Sequence, residues 1–91
     1  MSRILVIYFD LAIPGRNSEN LIQRIKAYES WARLGNSAYL ILTAKTATEV
    51  RDNLGQVLEA DDRIFVGVAP RPSAWKGLPP VVANWIIANQ K

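Results

Sequence analysis

An α+β fold follows from three observations on this chain. A solid apolar run, Ile4-Leu5-Val6-Ile7-Tyr8-Phe9, closes on Asp10, and a second run, Ile64-Phe65-Val66-Gly67-Val68, comes much later. Between them, two stretches of helical spacing bracket two short strand-like pieces around Gly35-Asn36. Read in order, that is strand, helix, strand, strand, helix, strand. It is the pattern of a ferredoxin-like βαββαβ domain, one antiparallel sheet of four strands with two helices on one face.

The first strand, over 3–9, is apolar on both faces, as befits a central strand covered from both sides. Residues 10–17 are a loop, with Pro14-Gly15 as the turn signal and Asn17 or Ser18 placed to cap the first helix. Leu21, Ile22, Ile25 and Tyr28 form one apolar stripe of that helix, over 18–28, with Arg24 and Lys26 pointing away. Residues 30–44 read as a hairpin. Trp31 and Arg33 alternate with Ala32 and Leu34, Gly35-Asn36 supplies the positive φ of a two-residue turn, and Tyr39-Leu40-Ile41-Leu42 returns.

Thr46 and Glu49 have the Thr-x-x-Glu spacing of a capping box and open the second helix. Val50, Leu54, Val57 and Leu58 are its buried stripe, Arg51-Asp52 its wet side, and Gly55 predicts a helix that is short or close-packed there. Asp61-Asp62 turns the chain into the last strand. Pro70-Arg71-Pro72 ends strand structure, since proline donates nothing to a ladder. Pro79-Pro80 then starts a short C-terminal helix whose apolar residues Val81, Val82, Trp85 and Ile86 suit the open face of the sheet, in this subunit or a neighbour. The 91 residues make one domain, 1–91, with its core over 3–69 and an extension over 70–91.

Composition narrows the chemistry. The chain is 49% apolar and 21% charged, an ordinary globular balance, and its longest apolar run is far too short to span a bilayer. Asp10 interrupts that run too early for a secretory signal, so a cytoplasmic location is expected. The sequence contains no histidine and no cysteine. Serine triads, zinc hydrolases and thiol nucleophiles are thereby excluded, leaving carboxylates, lysine, tyrosine or a carboxylate-held Mg²⁺ or Mn²⁺. Charge is uneven: residues 1–62 carry seven bases and eight acids, whereas 63–91 hold Arg63, Arg71, Lys76 and Lys91 and no acid. A basic end suits an acidic partner.

Several short pieces resemble a known group. Phe9-Asp10-Leu11, Ser30-Trp31 with Ser37-Ala38-Tyr39-Leu40, Glu49-Val50-Arg51-Asp52-Asn53-Leu54, Asp62-Arg63-Ile64, Ala74-Trp75 and Ala83-Asn84-Trp85 are similar to small bacterial proteins described as SinR-like. These are related to the ferredoxin-fold CRISPR spacer-acquisition proteins, the dimeric partners of the CRISPR integrase. The resemblance implies a homodimer, a setting in prokaryotic defence or a toxin–antitoxin pair, and a nucleic-acid surface. It also implies a divalent metal held by Asp10 across two subunits, Mg²⁺ in a nuclease. The proline-rich segment and C-terminal helix depart from that group, standing where its members place a dimer-exchanging strand.

Each candidate site has a plain structural alternative. Asp10 either ligates a metal or caps loop amides. Arg16 contacts phosphate or pairs with Asp10. Arg33, Lys45, Arg71 and Lys76, with Trp75 as a stacking platform, form a basic groove for nucleic acid or simply keep strand edges soluble. Trp31 is an interface anchor or a packed aromatic. Glu49, Asp52, Glu59, Asp61 and Asp62 make an acidic face for a basic toxin or a solvated surface. The function expected is a non-enzymatic binding module, with no cofactor, acting on a protein partner, as an immunity or antitoxin protein would, or on nucleic acid. The alternative is a metal-dependent nuclease using paired Asp10.

Overall fold

The computed structural model describes residues 1–13 and 15–90. Pro14, half of the expected Pro14-Gly15 turn, lies outside them, as does Lys91. The elements are β1 (Arg3–Asp10), α1 (Ser18–Lys26), β2 (Ser30–Gly35), β3 (Ala38–Thr43), α2 (Ala47–Gly55), β4 (Arg63–Val68) and α3 (Pro80–Asn89). The four strands form one antiparallel sheet in the order β2-β3-β1-β4, the ferredoxin-like arrangement with a C-terminal helix added.

Alternation along β1 builds two cores. Leu5, Ile7 and Phe9 face α1 and α2, where they meet Leu21, Ile25, Val50 and Leu54 with Tyr39 and Ile41 of β3. Ile4 faces the other way and joins Ala32 and Leu40 under Val82 and Ile86 of α3. The C-terminal helix therefore covers the sheet of its own chain. Covering is partial, because α3 lies over β2, β3 and the start of β1. The end of β1 and all of β4 are left without a helix on that face, and Tyr8 is exposed there, so β1 is central but not covered along its whole length.

Local details refine the sequence reading. α2 opens with both halves of its capping box: Thr46 Oγ1 accepts from Glu49 N at 3.1 Å, and Thr46 N donates to Glu49 Oε1 at 2.9 Å. It stops at Gly55, so Val57 and Leu58 pack from the loop after it. α1 has no side-chain cap, since Asn17 sits at φ 64° and Ser18 Oγ turns back to Gly15 O. Arg24 does not point away. Its Nη1 donates to Asn53 Oδ1 and Gln56 Oε1, each at 2.8 Å, sewing α1 to α2. The β2–β3 turn falls on Asn36-Ser37, and neither Gly35 nor Asn36 has positive φ. A bulge between Arg33 and Gly35 supplies the local twist, so the expected turn type is not needed.

Candidate functional site

The open half of the sheet has a definite make-up. On its solvent side, register pairs Tyr8 with Phe65, Val6 with Gly67 and Asp10 with Arg63. Phe65 is 64% and Tyr8 48% exposed. Facing residues on antiparallel neighbours have Cβ atoms about 5 Å apart. The aromatic pairs found among the described residues are Phe9–Tyr39 and Trp31–Tyr39, so Tyr8 and Phe65 leave each other's ring faces free. The Phe65 ring leans over Gly67, where a Cβ would stand 3.3 Å from its Cε2. A glycine at this position leaves room for the edge of that ring.

Next to this surface, Trp75 and Val6 line a pocket of about 150 Å³ shared with Leu34, Leu78 and Ile86. Its wall is the segment joining β4 to α3, which carries Arg71 and Lys76, both exposed. Asp10 is exposed opposite Arg63. Among the described residues, no three His, Cys, Asp or Glu side chains stand together as a metal site.

The loop roles assigned to Asp10 and Arg16 belong elsewhere. Asp62, not Asp10, caps the loop after β1, with Oδ1 accepting from Ala12 N at 3.0 Å and Oδ2 from Glu59 N at 2.9 Å. Arg16 pairs with Asp61 at 2.6 Å and Asp62 at 3.1 Å rather than with Asp10. The amides of Glu59 and Ala12, helped by Arg16, hold the Asp62 carboxyl below its ordinary value. Its charge has no solvent exposure and needs all three donors, whereas a carboxylate at Asp10's exposed position needs none.

The other candidates are dispersed. Arg33 pairs with Tyr39 near the hairpin end of β3, whereas Lys45 lies just past the far end of that strand and lines a groove between α1 and α2 with Arg24 and Glu49. Arg71 lines a separate cleft with Arg3. The structure does not bring the four bases into one groove. Trp31 packs at 6.1 Å from Tyr39 with the Lys26 ammonium 4.6 Å over its ring, while Trp85 Nε1 donates to Ser30 Oγ at 2.8 Å. In the acidic set, Glu49 serves the capping box, whose amide and hydroxyl from Thr46 lower its pKa. Asp52 pairs with Arg51, and Asp61 and Asp62 with Arg16. Only Glu59 of the five makes no side-chain bond among the described residues.

Tyr8, Phe65 and Arg63 are not marked as site residues by any motif in the sequence. Their one signal is the alternation Arg63-Ile64-Phe65-Val66 opposite Tyr8, which identifies a shared face but not its exposure. Compared with protein-family models, curated proteins and solved structures, the chain matches none.

Proposed function

We propose that the protein is a non-enzymatic binding module that takes a macromolecular partner on the open half of its sheet. The observation that carries this is the Tyr8–Phe65 pair, two exposed rings side by side on rigid central and edge strands of a packed sheet. Exposed apolar clusters of this kind mark interaction surfaces, and a surface built on strands is preformed. A setting in prokaryotic defence or in a toxin–antitoxin pair is supported by the resemblance of the quoted segments alone. In that setting α2 and the 59–62 loop are the face for a basic protein, with much of their charge already countered by Arg51 and Arg16.

Photocrosslinking in the native host tests the surface. A benzoylphenylalanine at position 65 is expected to give a discrete adduct, and one at position 23, on the exposed side of α1, is not. No adduct from position 65, or equal adducts from both, sinks the reading.

A further inference from the structure

We infer that the partner taken by this surface is a single-stranded polynucleotide whose bases stack on Phe65 and Tyr8; the inference rests on the binding surface proposed above. Two features favour that occupant. The first is ring geometry. Both rings are exposed, unpaired with each other, and held on adjacent strands, and the edge of the Phe65 ring reaches over Gly67. An unstacked base presents a flat π-face that such a platform accepts without regard to sequence, and an aromatic sheet face is a general means of holding single strands.

The second feature is charge. Arg63 lies one step along the same face, and the segment leading from β4 over the sheet carries Lys76, while Arg71 of that segment lines the cleft beside Arg3. From Arg63 to Gln90 the chain has no carboxylate, and among the described residues of β1 and β4 Asp10 is the one acid on the open half. None of Arg63, Arg71 and Lys76 makes an ion pair among the described residues. A polyanion is the complement of this surface. A second copy of the chain, meeting it face to face, would bring together two patches of the same net positive charge. A duplex keeps its bases stacked inside and offers the rings nothing.

The test is fluorescence anisotropy with a labelled 12-nucleotide oligouridylate at pH 7 and 50 mM NaCl. Saturable binding is expected, without competition from the oligouridylate–oligoadenylate duplex at equal concentration. Tyr8→Ala and Phe65→Ala should each weaken it roughly five- to a hundredfold, while Tyr8→Phe, which keeps the ring, preserves it. Phe65→Leu, which keeps apolar bulk on the strand, should lose affinity as the alanine variant does, separating stacking from folding. Arg63→Gln should lower the salt slope by about 0.7. Absence of saturation, unchanged affinity in the ring-removing variants, or equal competition by duplex overturns the inference. So does a dimer of the free protein that Phe65→Ala dissociates. If the oligonucleotide fails while position 65 still crosslinks to a protein, stacking falls and the docking surface stands.

Discussion

Asp62 acts as a small bracket. One carboxylate, shut off from solvent, ties the loop after β1 to the turn before β4 through two amides and Arg16. Its folded pKa is depressed, so the stability it contributes is present above its unfolded value near 3.8 and is lost as pH falls through the folded value. Glu49, depressed by the Thr46 amide and hydroxyl, acts in the same direction from an unfolded value near 4.5. Urea unfolding of the wild type is therefore expected to weaken steadily below about pH 4.5, and Asp62→Asn should be less stable at pH 7 with a shallower acid limb. An unchanged acid limb in Asp62→Asn would show that the bracket does not carry the pH dependence. Asp62 is legible in the sequence only as a turn residue, because its donors Ala12 and Arg16 lie some fifty positions away and no local pattern names them.

At the scale of elements, local chemistry decides most of the outcome. The capping box of α2 needs only Thr46, Glu49 and the backbone between them, so spacing alone reveals it. Thr46→Ala removes one amide's partner and is expected to cost about 1 kcal/mol. For a domain of this size that lowers the thermal midpoint by roughly 4–8 °C, read by circular dichroism; a shift under a degree would show the cap to be redundant. The hairpin makes the contrasting case. Its strands are legible from alternation, but its turn is not. A bulge in β2 depends on how β2 meets β3, and that is not encoded in the two residues at the corner. Arg24 fails locally for a similar reason: helical phase puts it on the outer face of α1, and only the closeness of α2 supplies acceptors.

For the molecule as a whole, the sheet is a partition between two cores of different reach. One side is filled by two helices; the other is half covered by α3 and half open. Ile86 links α3 to Ile4, Ala32 and Leu40, so Ile86→Ala is expected to cost roughly 2–4 kcal/mol. Because the α1–α2 core does not include Ile86, native-state hydrogen exchange should show α3 loosening while β1 and β3 keep their protection. Uniform loss across both cores would mean that the two sides unfold as one.

Periodicity, caps and breakers are properties of neighbouring residues, and they are enough to set the order of elements, the ferredoxin-like α+β class and the apolar stripe of each helix. Exposure is different in kind, since it depends on which distant segment fails to arrive. Tyr8 and Phe65 read as core in their strands and become a surface only because α3, entering from the proline-rich segment, settles over β2 and β3 and leaves β4 uncovered.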